Sequence, residues 1–227
     1  MAESSEILMY VPIFSDLEKE TIDKILSIGT TKTYPKDSYI LMEEGSGTAM
    51  FVIVSGKVKV SRTSSDGREV ILSILGEFDF FGEMAILDGL SRSASVIAMQ
   101  DSELFIIQRE QFLDLLKEHP EISINLLQEL TQRLRAADSK IKALSLKDAE
   151  GKVATVILQL AEDLGKIKQG VVEIEKLPLQ QDLANMAGTS RETISRTLHS
   201  FAKKGQVELD GSKLRILNFE KFRETYL

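Results

Sequence analysis

The sequence predicts an α+β fold in which a small antiparallel β-domain comes first, a long helix follows, and a mainly helical domain ends in a β-hairpin. Short β-branched segments separated by turn formers run from Tyr34 to about Gln108. Apolar residues at helical spacing follow Pro120, and helical patterns resume after Lys147. A length of 227 residues suits about two domains. The expected divisions are 1–119, 120–147 and 148–227.

Composition excludes several classes of protein. The chain has no cysteine and only two histidines, His119 and His199, so disulfides, thiol catalysis and cysteine-ligated metals are excluded and no metal site is expected. It also has no P-loop and no Ser/His/Asp arrangement, and we therefore expect no enzyme. No apolar run approaches the roughly 20 residues that span a bilayer. The expectation is a soluble, cytoplasmic protein without membrane contact.

Charge is distributed unevenly along the chain, which carries −7 overall. From Lys152 onward 12 basic residues accompany 10 acidic ones, whereas the first 151 residues hold 16 basic and 25 acidic ones. An acidic part is thus joined to a mildly basic part. Such asymmetry indicates two different tasks within one chain.

The β-domain is predicted from six short apolar segments: YILM, MFVIV, VKV, VILSIL, SVIAM and LFII. Glycines that permit the positive φ of tight turns stand at Ser55-Gly56, Asp66-Gly67 and Asp88-Gly89. Many short, closely spaced strands are typical of a small barrel or a jelly-roll-like sandwich.

The long helix after Pro120 carries a heptad pattern. Its members recur with spacings of 3 and 4: Leu127, Leu130, Leu134, Ala137, Ile141 and Leu144. Such an a/d seam favours a parallel pair of helices and hence a homodimer. The alternative is a helix that packs on its own β-domain.

A hinge is expected at Lys147-Asp148, because Asp148 can cap the helix that begins directly after it. Near the end of the chain, Val207–Leu209 and Leu214–Leu217 flank Asp210-Gly211. This dipeptide is a strong signal for a tight hairpin.

Between hinge and hairpin, the spacing of small and apolar residues predicts a helix-turn-helix. Ala184 allows close helix approach, Gly188 can end the first helix in the left-handed conformation, and Ile194 points back into the core. Thr189 and Glu192 fit a capping box at the start of the second helix.

The second helix presents polar residues early: Arg191, Thr193, Ser195 and Arg196. The N-terminal end of a recognition helix meets base edges in the major groove, where Arg pairs with guanine. The alternative is that these side chains only cap and solvate the helix. The complete constellation, with a following hairpin as wing, favours DNA binding.

A second informative stretch runs FGEMAILDGLSRSASV from Phe81. A helix opening after Gly82 offers free N–H groups to an anion, and Arg92 with Ser93 can close over a phosphate. Glu83 can accept from a sugar hydroxyl. The alternative is a turn with a surface arginine.

Together these two stretches resemble the cyclic-AMP receptor protein/FNR (Crp/Fnr) family of bacterial transcription regulators. The resemblance covers essentially the whole chain, including Gly45 and SGKVKV. It implies a homodimer in which an effector-binding β-roll of the cyclic-nucleotide-binding type controls winged helix-turn-helix domains. The implied effector-binding residues are Gly82, Glu83, Met84, Arg92, Ser93, Arg133 and Asp138. The implied DNA-binding residues are Thr189, Ser190, Arg191, Glu192, Ser195 and Arg196.

Departures from the family pattern bear on the effector. Phe78 stands where the family usually has Gly, and Ser91 where it often has Pro, so the local backbone can differ. A Thr-Ser pair that meets the purine in nucleotide-binding members is replaced by Ala137 and Asp138. The Asp138 carboxylate matches the paired N–H donors of guanine. Alternatively, Asp138 at e pairs with Arg133 at g across a parallel dimer.

The resemblance implies cyclic AMP as the effector, with cyclic GMP or a cyclic dinucleotide next. A constitutive regulator whose roll binds no nucleotide is the remaining alternative. The implied partners are duplex DNA with a near-palindromic operator and RNA polymerase.

Overall fold

A computed structural model describes residues 7–226 of the chain. It contains two compact units, Met1–Leu134 and Arg135–Leu227. Their boundary falls inside a single long helix. The three-part division at 119/120 and 147/148 stays a prediction.

Eight strands of the first unit form two four-stranded antiparallel sheets, ordered β1-β8-β3-β6 and β2-β7-β4-β5. The strands are β1 (Thr30–Tyr34), β2 (Tyr39–Leu41), β3 (Ala49–Ser55), β4 (Val58–Thr63), β5 (Glu69–Leu75), β6 (Phe80–Phe81), β7 (Ser95–Ala98) and β8 (Ser102–Gln108). All six segments predicted from the sequence are strands, and the predicted α+β fold is confirmed.

The central strand β3 is buried on both faces because its side chains alternate between two cores. Phe51 and Ile53 join the cluster that contains Val58 and Val96 of the other sheet. Met50 and Val52 face the cluster that the flanking helices complete. The sheet is therefore held between a second sheet and a helical layer.

The α-helices whose bounds lie within the described residues are α1 (Lys19–Ile28), α2 (Glu83–Asp88), α3 (Arg109–Glu118), α4 (Pro120–Leu146), α5 (Ala149–Leu164), α6 (Gln180–Ala187), α7 (Arg191–Lys203) and α8 (Phe219–Tyr226), and Pro12–Phe14 form a short 3-10 helix. The predicted long helix is α4. At the three a positions of its seam, Leu127, Leu134 and Ile141 are 64%, 63% and 62% exposed. These residues thus contribute little to the core of their own chain.

Helix α5 contributes many of the buried residues of the second unit, and its N-cap is Asp148, as predicted. Asp148 Oδ1 accepts from Gly151 N–H at 2.8 Å. A third sheet has the order β11-β12-β10-β9. Its strands are β9 (Lys166–Lys168), β10 (Val171–Ile174), β11 (Val207–Asp210) and β12 (Lys213–Ile216). The predicted hairpin is β11–β12, with Gly211 at φ +58° in the turn. Within residues 7–226, no helix is both long enough and apolar enough to cross a membrane.

Candidate functional site

The candidate effector site, which we call the pocket, lies in the first unit around Gly82, which has φ +86° and precedes the short helix α2. A Cβ atom at this position would lie 2.8 Å from Arg92 Nη1. Glycine is therefore favoured at position 82 for two reasons: it adopts the left-handed backbone without strain, and it leaves room for the Arg92 guanidinium.

Arg92 is a buried cation, 5% exposed, whose side chain turns toward backbone carbonyls. Its Nη1 donates to Gly82 O at 2.7 Å and its Nη2 to Ala49 O at 2.6 Å. Its Nε is buried and has no hydrogen-bond partner in the part of the chain that the structure describes, residues 7–226. Burial lowers the pKa of Arg92, while the nearby Glu83 raises it. A buried guanidinium with an unused donor suits an anionic ligand, because leaving such a donor unpaired costs free energy.

Glu83 is likewise buried, 4% exposed, and is held by α4. Arg133 Nη1 donates to Glu83 Oε1 at 2.9 Å and its Nη2 to Phe80 O at 2.8 Å. The Arg133 guanidinium also lies 4.3 Å from the centre of the Phe80 ring. The structure thus brings Glu83, Arg92 and Arg133 together, and their part in effector binding stays a prediction.

The remaining predicted pocket residues are more exposed. Ser93 Oγ lies 3.6 Å from Met84 Sδ, and Met84 is half exposed. Asp138 is exposed on the part of α4 that belongs to the second unit. Its contact with a guanine edge and its pairing with Arg133 of a second protomer both stay predictions.

Phe78 keeps the backbone that a glycine would adopt. Its φ is +71°, and its ring packs at 5.4 Å from that of Tyr10. The aromatic contact offsets the strain that a side chain suffers in the left-handed region. The substitution of Gly by Phe therefore leaves a positive φ at this turn.

The helix-turn-helix of the second unit is formed by α6 and α7. Gly188 ends α6 with φ +60°, and Ala184 and Ile194 are fully buried between the helices. These three expectations are confirmed. The predicted cap is wrong by one residue, because Ser190, not Thr189, accepts from Thr193 N–H, at 3.2 Å. Thr189 instead donates its backbone N–H to Ala184 O.

The polar face of α7 holds the predicted DNA-binding side chains. Arg191, Glu192 and Arg196 are exposed, and Ser195 is half-buried. The pKa of the Glu192 carboxyl group is lowered by hydrogen bonds that it accepts from its own backbone N–H and from the Ser190 side chain. The capping box of Thr189 with Glu192 does not form, since the N-cap is Ser190.

His199 joins this exposed face, a residue that the sequence reasoning did not assign to it. Its Nδ1 lies 2.7 Å from Ser195 O. The spacing of three and four from Arg196 and Ser195 is the signal that places His199 on the same side of the helix.

Comparison with known proteins matches both regions. A model of the cyclic nucleotide-binding domain matches residues 31–119, and a model of the Crp-like helix-turn-helix domain matches residues 151–225. The Cyclic AMP receptor protein of Thermus thermophilus is 38% identical over 198 residues, which cover 87% of this chain and 88% of that protein. This chain belongs to the Crp/Fnr family.

A second relative and a solved structure match this Crp/Fnr chain over nearly its whole length. The CRP-like cAMP-activated global transcriptional regulator of Mycobacterium tuberculosis is 32% identical over 216 residues, 95% of this chain and 96% of that protein. A solved structure of a CooA variant from Carboxydothermus hydrogenoformans has a TM-score of 0.79 at 23% identity, covers 96% of this chain and 95% of its own, and supports the fold alone. The present member is a DNA-binding transcription regulator with a cyclic-nucleotide-binding domain.

Proposed function

We propose that this chain is a homodimeric regulator whose binding to a near-palindromic operator is controlled by cyclic AMP. The observation that carries the proposal is the buried Arg92, whose Nε has no hydrogen-bond partner among residues 7–226 and which lies near the equally buried Glu83. Cyclic AMP presents the two matching features, a cyclic phosphate and a ribose hydroxyl.

Arg92, Gly82 and Ser93 would hold the phosphate. A charge-assisted hydrogen bond from the guanidinium to a phosphate oxygen would use the free donor and offset the burial of the cation. The phosphate oxygens would also compete with the carbonyl oxygens of Ala49 and Gly82 for the Nη donors of Arg92.

Glu83 would accept from the ribose. A carboxylate offers about four lone-pair sites, and Arg133 uses one of them here, so acceptor capacity remains for a hydroxyl. Because Arg133 lies on α4, effector contacts at Glu83 would bear directly on the long helix.

The choice of cyclic AMP over cyclic GMP is supported by the names of both curated relatives. Against it stands Asp138, whose carboxylate suits the N–H donors of guanine. Isothermal titration calorimetry with cyclic AMP, cyclic GMP and a cyclic dinucleotide decides between them. We expect cyclic AMP to bind most tightly. Absence of heat with all three would favour the constitutive alternative.

Dimerisation is supported by the exposed a positions of the α4 seam. Burying a leucine or isoleucine side chain contributes about 1.5–3 kcal/mol. Three such residues from each protomer, in a parallel pair, provide a substantial driving force for association.

The dimer is tested by Leu134→Glu, which places a charge in the middle of the seam. We expect this variant to sediment as a monomer at micromolar concentration, whereas the wild type sediments as a dimer. Ile167→Glu is the matched control, because Ile167 is also an exposed apolar residue but lies on β9. A dimeric Leu134→Glu variant would refute the seam.

Operator geometry follows from the dimer. A two-fold pair of recognition helices calls for two half-sites about 34 Å apart, the spacing that the general rule for helix-turn-helix dimers gives. RNA polymerase is the expected protein partner, and the cytoplasm the expected location, since the regulator acts on DNA during transcription.

A further inference from the structure

Two lysines and the last helix meet where α4 ends. Lys147 continues the bonding of α4, since its backbone N–H donates to Ala143 O at 3.1 Å. Its Nζ donates to Thr155 Oγ1 of α5 at 2.8 Å and to the backbone carbonyl oxygen of Tyr226 in α8. The end of the long helix is thereby tied to α8.

Glu150, in the first turn of α5, connects Tyr226 of α8 to the C-terminal end of the recognition helix α7. Its Oε1 accepts from Lys204 Nζ at 2.6 Å and from the Tyr226 hydroxyl at 2.7 Å. These two bonds lower the pKa of Glu150, and the bond to Glu150 raises the pKa of Lys204, the C-cap of α7. We call Lys147, Glu150, Lys204 and Tyr226 the hinge cluster.

Tyr226 is the centre of the hinge cluster because it uses three different groups. Its carbonyl accepts from Lys147, and its hydroxyl donates to Glu150. Its ring lies 5.3 Å from the ring of Phe201, a fully buried residue of α7. One residue therefore contacts Lys147 directly after α4, the first turn of α5 and the recognition helix.

Gly151 provides independent support that this arrangement is built into the sequence. Glycine is unfavourable inside a helix, yet it occupies a buried position in the first turn of α5. A Cβ atom there would lie 3.0 Å from Lys147 Cβ and 3.2 Å from Lys147 Cδ. The absence of a side chain at Gly151 leaves room for the aliphatic stem of Lys147 to pack against the first turn of α5.

We propose that the hinge cluster transmits the position of α4 to the recognition helix, with Lys147 and Tyr226 as its positioning residues. Movement of the last turn of α4 displaces Lys147, and Tyr226 passes the displacement to Glu150 and α7. The inference rests on the proposed function, since it concerns how an effector signal in α4 reaches DNA.

The test measures the ratio of operator Kd without and with saturating cyclic AMP, by fluorescence anisotropy on the full-length dimer. Lys147→Met keeps the apolar stem and removes both Nζ bonds, and Tyr226→Phe keeps the ring and removes the hydroxyl. We expect at least a fivefold reduction of the wild-type ratio in Lys147→Met and a smaller reduction in Tyr226→Phe.

Lys117→Met is the matched control, since it also removes a bonded Nζ, which lies 2.8 Å from Asp114 Oδ1, but on α3 and outside the hinge cluster. It is expected to keep the wild-type ratio. A purely structural role would lower the melting temperature of the variants and leave the ratio unchanged, which would overturn the inference alone. A wild type that ignores cyclic AMP would overturn the proposed function and this inference with it.

Discussion

The pocket and the recognition helix use arginine in opposite ways. Arg92 is buried and bound to two backbone carbonyls, one of them 43 residues away in sequence. Arg191 and Arg196 are exposed on α7. A small anion must be surrounded, whereas a DNA groove is itself the surrounding partner.

The two sites should therefore respond to different substitutions. The pocket depends on contacts between distant segments, such as Arg133 with Glu83, 50 residues apart. The DNA-binding face depends on one helix and the turn before it. Changes in the pocket should therefore affect the effector response, while changes on α7 should affect the choice of DNA sequence.

The largest effect is expected from Arg92→Leu. Removing the buried guanidinium deletes charge-assisted hydrogen bonds worth about 1.5–3 kcal/mol each, so cyclic AMP affinity should fall about 100-fold or more. Calorimetry measures it. Arg62→Leu, at an exposed arginine of the same sheets that pairs with Glu43, should bind normally. Wild-type affinity in Arg92→Leu would remove Arg92 from the pocket.

Arg196→Ala should act on the other region and leave the pocket intact. One bidentate contact to a base contributes about 1–3 kcal/mol of discrimination, and the operator preference over random duplex should fall about 5- to 150-fold. Competition binding at fixed salt measures this preference. Arg223→Ala, at an exposed arginine of α8, is the control. Unchanged discrimination in Arg196→Ala would exclude base recognition by this residue.

A smaller effect concerns the pH dependence of stability near the pocket. Burial raises the pKa of Asp79 above its ordinary 3.8, although a hydrogen bond from Gly76 and the charge of Arg133 oppose the shift. The folded state then retains the proton to higher pH than the unfolded chain, so this contribution is complete below 3.8 and is lost as pH rises through the folded pKa.

Asp79→Asn stays neutral, and its amide oxygen can still accept from Gly76. The free energy of unfolding of the variant should therefore lack this decline, which amounts to at most about 1.4 kcal/mol per pH unit. Urea denaturation between pH 3.5 and 7 measures both proteins. Parallel profiles would contradict the role of Asp79.

Much of the fold was predictable because its signals are local. Heptad spacing predicted α4, and the Ala184, Gly188 and Ile194 spacing predicted the helix-turn-helix. Three strands were not predicted. Strands β1 and β9 are mostly exposed and polar, so they lack the apolar alternation that identifies a strand, and the buried β6 has only two residues. Thr189 and Ser190 both carry hydroxyls, and only the backbone shows which one caps α7.

The sequence indicates which residues to propose for the effector site, but not the contacts that those residues make. The residues Gly82, Glu83 and Arg92 follow from the motif and its family resemblance. The turn of Arg92 toward Ala49 O and the stacking of Arg133 on Phe80 arise from tertiary packing, which no local spacing records. The hinge cluster was missed for the same reason, since Lys147 and Tyr226 lie 79 residues apart.

The most direct test of the account is operator affinity of the wild-type dimer measured with and without cyclic AMP at one salt concentration. Coupling between two sites of a protein is typically worth about 1–3 kcal/mol, and we expect cyclic AMP to tighten operator binding about 5- to 150-fold. Equal affinity with and without the nucleotide would contradict effector control of this regulator.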